Sequence, residues 1–121
     1  MELGGVTTLD LREQARQHRP IVPELPALQV AAVATWRGRM INEYQSAEVF
    51  GALAQQAERC GLSAAVVGQL NEFEAEERKH GVLCGGVVEA LGGEACAEVS
   101  TPRRLPEHAD VPALEGFLRN V

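Results

Sequence analysis

The sequence predicts an all-α protein built on an antiparallel hairpin of two long helices, and three observations carry that prediction. Aromatic residues make up only 4% of the chain, so the core must be assembled from Ala, Val and Leu, which suits close-packed helices better than a β-sandwich. Turn-forming residues gather in three places, Pro20 to Pro26, Cys60 to Ser63 and Gly92 to Pro112, and the two stretches between them are rich in helix formers. In both stretches apolar residues recur at alternating steps of four and three, the spacing of one helix face.

Residues 1–25 read as an N-terminal arm in which TTLDLREQARQHR forms a short helix capped by Thr8. From Pro26 to Cys60 no proline follows the first residue, and a single helix of about nine turns is expected. Ser63 is placed to cap a second, slightly shorter helix that runs to Leu91, and Gly92-Gly93 is placed to stop it. Gly68, Gly81, Gly85 and Gly86 weaken that helix by up to ~1 kcal/mol each, which predicts a kink or a close helix contact near Gly85-Gly86. Residues 26–92 thus form the hairpin. Residues 93–121 read as a crossover without apolar periodicity in EACAEVSTPRRLPEHAD, then the start of a third helix in VPALEGFLRNV, with Asp110 near its N-cap and Pro112 in its first turn.

At 121 residues the chain fits one domain. Its net charge is −6 and only Lys79 among its basic residues is a lysine, while Arg37, Arg39 and the pair Arg103-Arg104 are too sparse for a phosphate-binding patch. No nucleic-acid partner is expected. Cys60, Cys84 and Cys96 form no disulfide or zinc-ligand pattern, which fits a reducing compartment. MELGGVTTLD lacks a basic start followed by an apolar stretch, and no apolar run approaches the ~20 residues that span a bilayer. A cytoplasmic protein with no membrane partner is expected.

The seam of the first helix reads Trp36, Met40, Glu43, Ala47, Phe50, Ala54 and Ala57; that of the second reads Val66, Leu70, Phe73, Glu77, His80, Cys84, Val87 and Leu91. A lone Glu on such a seam ordinarily carries its carboxylate out to water. Here Glu77-x-x-His80 places a carboxylate and an imidazole one turn apart, a metal-ligand spacing. Glu43 lies 18 residues before Gly61, and Glu77 and His80 lie 16 and 19 after it, so a reversal at Gly61 brings all three level to within ~3 Å. Carboxylates inside an Ala/Val/Leu interface need a compensating charge, which a divalent metal supplies. Oxygen-rich donors with one imidazole suit non-haem iron or manganese and lack the thiolates of structural zinc. Cys84 reads as a packing cysteine, and His18 and His108 read as surface residues.

At these residues the sequence resembles the ferritin-like superfamily of ferritins, bacterioferritins, rubrerythrins and diiron carboxylate oxygenases, over about residues 27–92. The resemblance implies one half of a four-helix bundle, with Glu43 in INEYQSAEVFGALA as the first-helix ligand. Glu77 and His80 in NEFEAEERKHGVL are then the second-helix pair, with Glu77 bridging the metals. It implies a non-haem, diiron-type cofactor, with manganese as an alternative, and oxidation of Fe(II) by oxygen or peroxide. The chain departs from the family pattern in lacking a third-helix Glu and a second Glu-x-x-His. The missing ligands are expected from a second copy, as a homodimer, or from a missing C-terminal half. Phe50 stands where ferritins carry a Tyr, and Arg78 where bacterioferritins carry a haem-ligating Met, so no haem is implied. Two other functions fit the same residues: a metal-free helical interaction module that dimerises or holds a partner, and a diiron oxygenase acting on an organic substrate.

Overall fold

The computed structural model describes residues 5–100 and 105–121; Arg103-Arg104 and the first four residues lie outside them. The chain order is strand β1 (Val6–Asp10), helix α1 (Arg12–Arg16), a single 3-10 turn (Pro26–Leu28), helix α2 (Gln29–Arg59), helix α3 (Ala64–Ala90), strand β2 (Cys96–Ser100) and helix α4 (Ala113–Asn120). The protein is mostly helical, and its body is the α2–α3 hairpin.

Both long helices end as their glycines dictate. Gly61 and Gly92 take φ of 75° and 92°, the left-handed region that a side chain resists. After α2, Leu62 N–H donates to the Ala57 carbonyl and Gly61 N–H to that of Glu58; after α3, Gly93 and Gly92 donate to Val88 and Glu89 in the same pattern. These are two Schellman closures, and they satisfy carbonyls that each helix end would otherwise leave bare. The next helix starts at once, because Ser63 Oγ accepts from Val66 N–H at 3.3 Å.

The N-terminal arm holds the short helix expected, but it starts at Arg12 after Leu11 and not at a Thr8 cap. Residues 6–10 are a strand paired antiparallel with residues 96–100, Leu9 opposite Ala97 and Thr7 opposite Val99. Val6, Thr7 and Thr8 favour extended backbone, and the helix begins only after Asp10, whose carboxylate accepts from Arg12 N–H and from the Arg12 guanidinium. Those Arg12 hydrogen bonds hold the Asp10 carboxyl down to about 2. The crossover is likewise partly a strand: Ala95 and Val99 are buried between exposed or half-exposed neighbours. This two-stranded sheet lays Leu9, Ala95 and Val99 over Met40 and Ala15, and the five make one core cluster.

The same packing explains the glycines of α3. Gly81, Gly85 and Gly86 are buried with Val88, and a Cβ on Gly86 would collide with the His18 carbonyl at the end of α1. The close contact expected near Gly85-Gly86 is therefore with α1 and Ala95. Its consequence is a rotated burial pattern: Met40, Ala47, Ala54 and Ala57 of the first seam are buried, whereas Val66 and Phe73 of the second are about two-fifths exposed.

A buried carboxylate ties these parts together. Glu89 accepts from Ala95 N–H at 2.6 Å and from Arg16 Nε at 3.0 Å, with its side chain only 7% exposed. Burial raises its pKa, but the Ala95 and Arg16 hydrogen bonds outweigh that and leave it lowered. A depressed carboxylate stabilises the fold above its ordinary range and stops doing so as pH falls through its folded value. Glu89→Gln is expected to cost about 1–2 kcal/mol at neutral pH, with the gap to the native protein closing below pH ~4; denaturant melts across pH check it.

Helix α4 starts after Pro112, two residues later than the Asp110 cap expected. It folds back onto the turn end of the hairpin, burying Phe117 with Leu53 and Ala57. Asn120 Nδ2 donates to the Pro106 carbonyl and to Gln56 Oε1, and His108 Nε2 lies 2.9 Å from Asn120 Oδ1. His108 is therefore partly buried, unlike the surface residue expected; His18 is exposed. Among the described residues no helix is long and apolar enough to cross a membrane.

Candidate metal centre

The hairpin delivers the three expected ligands to one place. Glu43 sits mid-way along α2 and Glu77 and His80 mid-way along α3, and the Gly61 reversal sets them level. Gly81 faces α2 at this level: a Cβ there would stand 3.7 Å from the Glu43 Cβ, an ordinary contact. One ligand atom from each of Glu43, Glu77 and His80 lies within 4.8 Å of the others. His80 Nδ1 stands 3.8 Å from Glu43 Oε2 and 3.8 Å from Glu77 Oε1. Those separations are too long for hydrogen bonds and close to the ~3–4 Å between donors sharing an ion bound at ~2.1 Å.

The electrostatics of the site are those of two carboxylates brought together beside one imidazole. Glu77 has its pKa raised, first by a hydrogen bond shared with the Glu43 carboxyl, then by burial and by the Glu43 charge, with His80 opposing. Two neighbouring carboxylates share one cation: Arg78 Nη2 donates to Glu48 at 2.9 Å and to Glu74 at 2.7 Å, and its guanidinium lies 5.9 Å from the Tyr44 ring centroid. Among the described residues Glu43 and Glu77 have only His80 as an ion-pair partner. Two adjacent carboxylates, no Lys or Arg between them, and an imidazole facing both form a donor set that fits a hard or borderline divalent metal.

The site is also open. The His80 side chain is 51% exposed, against 29% for Glu43 and 24% for Glu77, so ligands from outside the hairpin can reach the same point. Cys84, one turn beyond His80, packs half-buried against the Met40 cluster. Burial, then the Glu43 charge, raise its thiol pKa, and it does not belong to the group of converging donors. The Arg78–Glu48–Glu74 cluster was not foreseen in the sequence, although the Glu74 and Arg78 spacing of four residues is a signal for part of it.

Comparisons with family models, curated proteins and solved structures return no match for this chain. The functional reading therefore rests on the site.

Proposed function

We propose that the protein is a ferritin-like metal-binding protein that oxidises Fe(II) with oxygen or peroxide. The observation that supports this reading is the convergence of Glu43, Glu77 and His80 within 4.8 Å, with no cationic side chain between the carboxylates. Glu43 and Glu77 would hold the metal charge, and His80 would present Nδ1 to the same ion. Bound ferrous iron supplies the electrons that reduce the oxidant. The Arg78 cluster keeps Glu48 and Glu74 engaged, so that Glu77 is the acidic side chain of α3 left facing Glu43 and His80.

One chain provides two carboxylates and one imidazole at this point. Two copies paired about a two-fold axis would bring four carboxylates and two imidazoles, enough for a pair of irons; a C-terminal half with equivalent ligands would do the same within one chain. Exposed Val66 and Phe73, on the α3 seam that carries Glu77, favour a partner on this face, and they also support the second reading, a metal-free interaction module. Its three unpaired cysteines suit a reducing, cytoplasmic setting.

Oxygen consumption tests the reading. The native protein loaded anaerobically with Fe(II) is expected to consume oxygen at least about tenfold faster than iron with the His80→Ala variant, on the scale of losing one metal ligand. Equal rates would leave the interaction module.

A further inference from the structure

The open end of the hairpin carries a concavity separate from the Glu43–Glu77–His80 cluster. Residues 22–26 and Leu28 form one side of an open cavity of about 740 Å³ against the start of α2 and the end of α3, walled mainly by Leu25, Leu28, Trp36, Val87 and Leu91. That volume falls among those of small-molecule sites, ~300–1,000 Å³. Trp36 and Val87 lie seven residues from Glu43 and His80, so the cavity stands about 10 Å along the helices from the metal ligands.

Its walls are braced. The Gln29 amide donates to the Leu91 carbonyl at 2.7 Å and ties the start of α2 to the end of α3. The Arg39 guanidinium stacks 5.0 Å from the Trp36 ring centroid, and that of Arg37 donates to the Glu94 carbonyl. Leu25 and Leu28 remain more than half exposed, so apolar surface faces water around an indole. The charge of the lining has one sign: no Lys, Arg or His takes part, and Glu24 is its single ionisable group. Among the described residues Glu24 makes no hydrogen bond or ion pair.

We propose that this cavity binds a small amphiphilic amine, its apolar body seated on Trp36 between Val87 and Leu91 and its protonated nitrogen at Glu24. An apolar body recovers the exposed Leu25 and Leu28 surface. The lone carboxylate selects the head group: an ammonium gains a partner at Glu24, whereas a carboxylate of the same size meets a like charge there, the Arg39 guanidinium being stacked on the Trp36 ring outside the lining. The proposal does not depend on metal at the neighbouring cluster.

Trp36 is the sole tryptophan, so its fluorescence reports occupancy directly. The full chain, held metal-free by a chelator, is titrated with n-octylamine and with n-octanoate below their micelle concentrations. Saturable binding of n-octylamine is expected, about tenfold tighter than n-octanoate, and Glu24→Gln is expected to narrow that ratio to about twofold. Ala90→Phe, which adds a ring to the lining, is expected to remove binding of both; should it fail to fold, Glu24→Gln on the surface still decides. No saturable binding, equal affinity for amine and carboxylate, or a ratio unchanged in Glu24→Gln would overturn the proposal. So would amine affinity that falls with protein self-association, which would make a second copy the occupant.

Discussion

Adding Mn(II) or anaerobic Fe(II) to the metal-free protein is expected to raise its thermal midpoint by about 10 °C when free metal is a hundredfold above Kd. A ligand that binds only the native state adds about 2.7 kcal/mol at that excess, and a chain of this length shifts by ~4 °C per kcal/mol. Binding would give the metal three ligands and displace the proton that Glu77 shares with Glu43 in its absence. Glu77→Ala is expected to abolish the metal-dependent shift while leaving the metal-free protein folded, since its side chain is about one-quarter exposed and packs no core. A differential scanning melt of both proteins with and without metal checks it. If the native midpoint is indifferent to metal, the interaction module is the better reading.

The second large effect is an inversion of sign between two identical substitutions on one helix. Gly68→Ala, where a Cβ meets nothing within 4 Å, is expected to stabilise the protein by about 0.5–1 kcal/mol, the ordinary gain of Ala over Gly inside a helix. Gly86→Ala starts with the same gain but drives its Cβ into the His18 carbonyl, with the Ala15 carbonyl 3.4 Å away. The obstacle is backbone, which cannot rotate aside, so α1 must withdraw and uncover Ala15 and the Met40 cluster. A net loss of about 2–3 kcal/mol is expected. Urea melts measure both, and hydrogen exchange should place the loosening in α1 and the sheet. Equal gains at the two positions would mean that α1 does not dock on α3.

The sequence announced the hairpin because its signals are local. Gly61, Ser63 and Gly92-Gly93 each fix a helix end through bonds that span a few residues, and the three ligand positions follow from counting along two helices. The sheet was illegible for the opposite reason. Strands of five residues are too short for a convincing period, and Val6–Asp10 finds its partner some ninety residues away. The crossover did carry an alternation in Ala95, Ala97 and Val99, but alanine contrasts weakly with its neighbours in hydropathy. Because neither the sheet nor the docking of α1 on α3 is legible in the sequence, its periodicity puts the buried side of α3 on Val66, Phe73 and His80 rather than on Gly81, Gly85 and Gly86. Glycine has no side chain to mark a buried face in sequence, yet here it is what the neighbouring backbone packs against.

The candidate site survived that rotation because it lies where the two seams meet at mid-height. Its openness did not follow from the sequence: a seam predicts burial, and His80 is half exposed. That exposure suits a centre to which a further set of ligands is added from outside the hairpin.

The most direct measurement is an equilibrium titration of metal-free protein with Mn(II), free ion being followed by its electron paramagnetic resonance signal, alongside molecular mass by sedimentation. Saturable binding of at least one ion per two chains, lost in Glu43→Ala, Glu77→Ala and His80→Ala, is the expected result. Uptake unchanged by all three substitutions, or no saturable uptake by the native protein, would contradict a metal centre at Glu43, Glu77 and His80.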